Sequence, residues 1–398
     1  SESAPIIIKL LFAMLGLAIL EYISTYFTAY KGHMMGAKME YDMRKDIFEH
    51  YQKLSFTFYD NQKVGQLMTR ITNDLFDVTE LCHHGPEDII ISLIKFVGAF
   101  FILIHINVPL TLIVFAFIPL MFIFALFMRK RMRRAFKRNR ESIAEINAQI
   151  EDNLSGIRVV KSFANESVEM DKFAIGNNRF IESKRNSYKA MGAFHSGLTL
   201  FTALINVGVI GGGGLFIAYD IINVGDLLTF LLYVNTLIEP VRKLINFTEQ
   251  YQNGMSGFNR FYEILEIEPD IVDKPEAVSI KDVKGDIEFK NVSFKYNEAK
   301  EDVFRNINLK VDAGEYVALV GSSGVGKTTM CSLIPRFYEV SEGAITVDDI
   351  DIRDIKLKSL RDNIGVVQQD VYLFAGTVLE NISYGKPDVT KEDIILAA

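Results

Sequence analysis

The chain has 398 residues, of which 49% are hydrophobic and 23% charged, and its formal net charge is −7. That length suits two or three domains, and the positive mean hydropathy is high for a soluble protein. The two cysteines, Cys82 and Cys331, lie far apart and do not support a disulfide framework. The six histidines show no H-x-x-x-H or similar spacing, which speaks against a zinc site. No basic stretch calls for a nucleic-acid partner. The first residue is not Met, no signal peptide is visible, and the last residues fall inside an apparent helix without a cap. Both ends therefore read as cuts in a longer chain.

Residues 4–28 are almost wholly apolar, interrupted by Lys9 and Glu21. Residues 89–128 are too long for one span, since about 20 residues cross the hydrocarbon. Asn107-Val108-Pro109 divides them into two helices. Residues 190–239 are divided in the same way by the stretch from Tyr219 to Asp226. Five spans result: 4–28, 84–106, 109–128, 192–218 and 226–247. Buried helices of a large soluble protein are the alternative, but five runs of membrane thickness argue against them.

Basic residues set the orientation. Seven lie in 31–80 and fifteen in 129–189, whereas the turns at 105–109 and 219–225 carry none. The positive-inside rule then puts the two basic segments in the cytoplasm and the two turns outside. Both basic segments keep apolar residues at helical spacing, as in Ile143, Ile146, Ile150 and Leu154, so the spans are expected to continue as cytoplasmic helices. Turning points are expected at Tyr59–Gly65 and at Asn165–Val168. Lys95 sits inside a span, where a charge costs about 2.5–3.5 kcal/mol. It shares a face with Asp88, Ser92 and Gly98 or Ala99, and that face is expected to line the bundle interior or a water-filled cavity. Gly211–Gly214 is expected to allow close helix packing. Pro119 and Pro240 are expected to kink their helices. His83, His84, His105 and His195 read as interfacial or packed residues.

Composition changes near Ile267. Residues 1–265 form the membrane domain, and 266–284, polar and acidic with Pro269 and Pro275, read as a linker. From 285 to 398 short alternating runs appear: Ile287–Phe294, Asn308–Val311, Tyr316–Val320, Ala344–Val347 and Ile364–Val367. Helical stretches follow Lys327 and Thr377. The run Tyr316–Val320 leads into Gly321-Ser322-Ser323-Gly324-Val325-Gly326-Lys327-Thr328-Thr329, and a helical stretch follows. The order strand, glycine-rich loop, helix with G-x-x-x-x-G-K-[ST] is a phosphate-binding loop. Glycines let the backbone curl so that successive N–H groups face a polyphosphate. The helix start adds its positive end. Lys327 reaches the terminal phosphates of ATP, and the Thr328 hydroxyl holds Mg²⁺.

These residues resemble an ABC exporter half-transporter of the bacterial multidrug or lipid-flippase kind. The fold class is then an α-helical polytopic membrane domain followed by an α/β P-loop nucleotide-binding domain, ABC-type and incomplete. Phe58-Tyr59-Asp60 with Gly65-Gln66-Leu67 and Thr69-Arg70-Ile71 is similar to the family's first intracellular loop. Gly156–Phe163 is similar to the second. Val292–Tyr296 looks like the adenine-stacking loop, which implies that Tyr296 lies under the base. Ile364–Asp370 with Leu373-Phe374 and Gly376-Thr377 resembles the glutamine loop. Aligned on the Leu-Phe pair, Gln369 rather than Gln368 is implied as the Mg²⁺ and water contact.

The resemblance also implies what these residues lack: a span before Ser1, and the L-S-G-G-Q motif, the Walker B aspartate, the catalytic glutamate and the switch histidine after Ala398. The chain by itself is therefore expected to bind nucleotide weakly and to hydrolyse none. The family pairs two subunits, as homodimer or heterodimer, face to face on two ATP molecules in the plasma membrane. Closure then passes through the intracellular loops, here near Tyr59–Gly65 and Asn165–Phe173, to switch the spans. The implied function is ATP-driven export of a hydrophobic or amphipathic substrate. The 30 Phe, 16 Tyr and 13 Met residues suit drugs, lipids and peptides alike. The alternatives are a degenerate-site subunit of a heterodimer and a nucleotide-gated channel or regulator. Five spans exclude a soluble relative acting in repair or translation.

Overall fold

The computed structural model describes residues 3–296, 301–368, 371–386 and 388–398. The contacts divide the chain into two compact units. One comprises Ser1–His50 with Val64–Ile267, the other Tyr51–Lys63 with Glu268–Ala398.

The first unit is helical. Helix α1 (Ser3–Phe27) continues through a π-turn (Thr28–Gly32) into α2 (His33–Tyr51). After the short α3 (Phe56–Asp60), which belongs to the second unit, come α4 (Val64–Thr69), a second π-turn (Arg70–Asp74) and α5 (Leu75–Ile106). Then follow α6 (Val108–Ser155), α7 (Ile157–Ser162), α8 (Glu166–Ala218) and α9 (Val224–Leu265). Among the described residues, five helices are long and apolar enough to cross a membrane, in the order expected. Helix α6 has 48 residues. At 1.5 Å per residue it is about 72 Å long, more than twice the hydrocarbon thickness, so its basic half continues beyond the apolar half as one helix.

The helix boundaries have local causes. Asn107 alone separates α5 from α6, and its side chain accepts a 3.0 Å hydrogen bond from the Leu110 N–H. Pro109 is tolerated in the first turn of α6, where its missing N–H would have no partner anyway. The reciprocal bonds between Asn223 and Asp226, both 3.0 Å, form a capping box that starts α9. Val224, Gly225 and Asp226 are therefore helical, and the turn before them ends sooner than the sequence suggested. Glu166–Val168 likewise open α8 rather than form a turn. The break lies at Phe163–Asn165, and Gly156 sets off α7. Pro119 and Pro240 lie inside uninterrupted helices.

Helix α5 packs on α9 and α6 on α8. Leu103, Leu110, Val114, Val209, Phe230 and Val234 form one buried cluster. Met121, Ala125, Leu198, Val241 and Ile245 form a second. Small residues set the spacing. A Cβ on Gly213 would sit 2.6 Å from the Leu227 side chain, and one on Gly257 would sit 2.6 Å from the Asp74 carbonyl oxygen. Close helix approach at 211–214 is thus confined to the middle of the run, because Gly211 and Gly214 have open space. The Lys95 face packs against α9. Ser92 and Ala99 are buried, the Lys95 ammonium donates to Glu239 at 2.8 Å, and Lys243 donates to Asp88 at 2.7 Å. Two interhelical ion pairs therefore satisfy the charges that the sequence placed in a span.

The second unit holds a four-stranded antiparallel sheet in the order β2-β1-β3-β4: β1 (Ile287–Phe294), β2 (Phe304–Val311), β3 (Glu342–Val347) and β4 (Ile350–Asp351). Helix α10 (Lys327–Leu333) lies between β2 and β3, and α11 (Leu357–Asp362), α12 (Val378–Ile382) and α13 (Lys391–Ala397) follow β4. Phe289 pairs in register with Leu309 on one side and Ile345 on the other. Its ring is buried with Val292, Phe294, Leu333, Ile352 and Leu360.

Two runs expected as strands are not strands. Tyr316–Val320 and Ile364–Val367 pair with nothing among the described residues, and Val320 and Val367 are fully exposed (92% and 99%). Such an apolar run becomes a strand only where neighbours cover both faces and complete its hydrogen-bond ladder. The linker expected at 266–284 is irregular, and from 268 on it docks along this unit. Val278 bridges Ile355 in parallel, the Ile280 N–H donates to Ser359 Oγ at 2.9 Å, and Ile271 and Ala277 are buried.

Candidate nucleotide site and the segment docked beside it

The loop Gly321–Gly326 leads into α10, whose first residue is Lys327. Gly324 and Gly326 adopt φ of +83° and +96°, left-handed values that glycine takes at little cost. At Gly326 space is limiting as well: an added Cβ would lie 2.7 Å from Val303 Cγ1 and 3.0 Å from Phe304 Cδ1. The loop is thus held against the start of β2 by a residue that has to be glycine. Lys327 Nζ donates to the carbonyls of Gly321 (2.9 Å) and Ser322 (2.8 Å), so the ammonium lies over the loop. Ser322, Ser323 and Val325 are exposed, as is Thr328, whose hydroxyl has no partner among the described residues.

Thr329 is buried on α10, and its hydroxyl lies 2.9 Å from the Tyr296 hydroxyl. The Tyr296 ring stands edge-on to Phe294 and Tyr338, with centroids at 4.8 and 5.3 Å. The residue just after β1 and the first turn of α10 are therefore tied together, and Tyr296 joins the loop from Gly321 to Thr329 in one site. Gln369 lies outside the described residues. This donor set fits a nucleotide polyphosphate: a two-glycine left-handed loop, an ammonium bonded only to main-chain oxygens, and a free hydroxyl at the helix start. The same free hydroxyl suits a hard cation such as Mg²⁺, which takes oxygen ligands.

A second arrangement in this unit was not legible in the sequence. Phe56 of α3 stacks on Phe337, with centroids 4.4 Å apart and planes 15° apart. The Arg361 guanidinium lies 5.3 Å from the Phe337 centroid and donates to the carbonyls of Pro335 and Arg336. Burial pushes the Arg361 pKa down, and the nearby Arg336 adds to that shift. Tyr338 donates to the Asp60 carboxylate at 2.8 Å. Burial first, and the Asp60 carboxylate next, push the Tyr338 phenol well above its ordinary value. The segment 51–63, inserted between α2 and α4, is thereby fastened to residues 335–338, shortly after α10.

His33 also meets the adjacent pair His83 and His84, 50 residues further on, in the first unit. His33, His83 and His84 bring their ring nitrogens within 4.8 Å of one another.

Comparison with known proteins agrees with both units. A family described as "ABC transporter transmembrane region" matches residues 2–241, and one described as "ABC transporter" matches residues 304–397. The chain is 45% identical over 385 residues to the uncharacterized ABC transporter ATP-binding protein YwjA of Bacillus subtilis, covering 96% of this chain and 66% of that protein. It is 34% identical over 373 residues to the putative multidrug export ATP-binding/permease protein YgaD of the same organism, covering 94% and 64%. It is 34% identical over 375 residues to the ATP-dependent lipid A-core flippase of Syntrophus aciditrophicus, covering 94% and 62%. The chain thus spans slightly less than two thirds of the length of these relatives.

Proposed function

Because this chain belongs to the ABC transporter family, we propose that it is the larger part of a half-transporter that uses ATP to export a hydrophobic or amphipathic substrate. The Lys327 ammonium resting over a left-handed glycine loop at the start of α10 is the observation that carries this reading. When nucleotide enters, Lys327 exchanges its two carbonyl partners for phosphate oxygens, and the loop N–H groups receive the remaining negative charge. Tyr296, adjacent at Thr329, offers a ring to the base. Thr328, with Gln369, would hold Mg²⁺, which supplies positive charge against the phosphates. Lys327 also stabilises charge that develops on the transferred phosphoryl group.

A second copy or a related half-transporter completes the working assembly. Closure on ATP shifts the equilibrium of the spans by differential affinity. The docked segment 51–63 passes that shift to α2 and α4, which continue from it in the chain. The basic segments support a cytoplasmic side for the nucleotide unit, and the five long apolar helices support a multi-pass protein, of the plasma membrane in this reading. Names among the relatives include a multidrug exporter and a lipid flippase, so amphipathic drugs and lipids are the substrate classes to try first. For the 398 residues by themselves we propose nucleotide binding at the loop that Lys327 covers.

The test is ATP-dependent uptake of an amphipathic dye and of a fluorescent lipid by inside-out vesicles carrying the full-length protein. Lys327→Ala should abolish uptake while membrane insertion stays normal. Normal uptake by that variant would overturn the assignment.

A further inference from the structure

Helix α1 does not pass smoothly into α2. The π-turn Thr28–Gly32 inserts an extra residue into the helical spiral and turns the face that follows. His33 is the first residue after it. Three residues on, Gly36 is buried against α5, where an added Cβ would lie 3.2 Å from His83 Nδ1. The missing side chain lets α2 approach α5 closely and carries His33 to the same place. The ring centroids are 4.8 Å apart for His33 and His83, 5.2 Å for His33 and His84, and 4.0 Å for His83 and His84. The cluster lies just before the apolar part of α5, at the polar edge of that span.

The hydrogen bonds define what these rings offer. His83 is 7% exposed, and its Nδ1 lies 2.9 Å from the Thr79 carbonyl oxygen. A carbonyl only accepts, so the proton is on Nδ1 and the Nε2 lone pair is free. Nε2 is buried with no hydrogen-bond partner. His84 lies between two carboxylates, with Nε2 at 3.7 Å from Glu80 and Nδ1 at 3.6 Å from Glu87. Whichever nitrogen binds a ligand, a carboxylate is placed to orient the other, the arrangement common around metal-bound histidines. His33 is exposed and can adjust its rotamer.

We propose that His33, His83 and His84 form a site for a divalent transition-metal ion with imidazole preference, zinc being the representative, which joins α2 to α5. Three neutral nitrogens without thiolate favour Zn²⁺, Ni²⁺ or Cu²⁺ over Mg²⁺ or Ca²⁺. Two carboxylates nearby balance the ion's charge, and either one or a water takes the fourth position. Tetrahedral zinc with Zn–N of about 2.1 Å needs ring nitrogens about 3.4 Å apart. The ring nitrogens, within 4.8 Å of one another, must therefore close by at most about 1.4 Å, and the exposed His33 is the side chain freest to move. The site is separate from the nucleotide loop, which lies in the other unit.

The experiment uses the full-length protein without a polyhistidine tag, stripped with chelator in detergent, and titrated with Co²⁺ and then Zn²⁺. The expected result is one Co²⁺ per chain with visible d–d absorption, displaced by Zn²⁺. His33→Gln, at an exposed position where folding is not at stake, and His83→Gln should each weaken Co²⁺ binding on the order of 100-fold. Zn²⁺ should also slow hydrogen exchange in residues 33–40 of the wild type and not of His33→Gln. No d–d absorption at millimolar Co²⁺ would overturn the proposal. Undiminished binding by His33→Gln would overturn it as well.

Discussion

Replacing Phe56 by alanine should release the segment 51–63 from the nucleotide-binding unit. Phe56 is 42% exposed, so roughly 100 Å² of the residue is buried, and the rings it meets are Phe337 and Tyr338. At about 25 cal/mol per Å², that area is worth about 2.5 kcal/mol as an upper value. The denatured chain already buries part of it, which lowers the figure to about 2 kcal/mol. The offset stack adds about 0.5–1.5 kcal/mol. A loss of about 2.5–3.5 kcal/mol shifts the docked-to-undocked ratio by roughly 60- to 300-fold, since about 1.4 kcal/mol is tenfold. Hydrogen exchange followed by mass spectrometry reads this directly in peptides covering 51–63. Their protection should fall by that factor in Phe56→Ala, while β1 and β3 keep theirs. Phe337→Ala should give a similar loss, and the double variant little more, because the two rings act as one contact. Unchanged protection of 51–63 in Phe56→Ala would refute the docking argument. If the segment undocks and ATP-dependent transport by the full-length protein is nevertheless normal, this segment is not the transmitter.

Three other outcomes follow from the geometry. Gly326→Ala combines a left-handed φ of +96° with a Cβ 2.7 Å from Val303, so ATP affinity measured by displacement of a fluorescent analogue should fall at least tenfold; wild-type affinity would count against a rigid loop. Gly257→Ala puts a Cβ 2.6 Å from the Asp74 carbonyl, next to the bidentate Arg260–Asp74 pair, and overpacking of this kind costs about 1–3 kcal/mol; an unchanged thermal midpoint in detergent would show that α9 has room to move. Burial raises the Asp348 pKa, but N–H donors of Lys284, Asp286 and Gly285 outweigh it and hold the carboxylate below its ordinary value. A depressed folded pKa stabilises the fold above the unfolded value of about 3.9, and that contribution fades as pH falls through the folded value. Thermal midpoints of wild type and Asp348→Asn should therefore differ at neutral pH and converge in acid; a gap that widens in acid would reverse the assignment.

What the sequence made legible was local. The five spans could be read because membrane thickness imposes a length on each apolar run, whereas the Asn223–Asp226 capping box, which starts α9 inside the expected turn, was not. The phosphate loop could be read because its glycines and Lys327 act within nine residues. Tyr316–Val320 and Ile364–Val367 were misread because a strand is a property of pairing, and neither run has a ladder partner among the described residues. Phe56 meeting Phe337, and His33 meeting His83 and His84, could not be read from spacing at all. Each depends on how distant segments are folded together, and the sequence signals were slight: an unexplained glycine at position 36, and an aromatic pair, Phe337-Tyr338, placed shortly after the loop helix. The Lys95 face was legible as an interior face, but its partner Glu239 emerged only with the packing of α5 on α9.

The most direct test of the central claim is the affinity of the purified chain for ATP with Mg²⁺, measured by calorimetry in detergent for the wild type and Lys327→Ala. The loop and its lysine should give saturable binding at one site, weakened by more than tenfold when Lys327 is removed, with α-helical content unchanged. Equal affinity in the two proteins would mean that nucleotide is not held by this loop, and the account of the site would have to be abandoned.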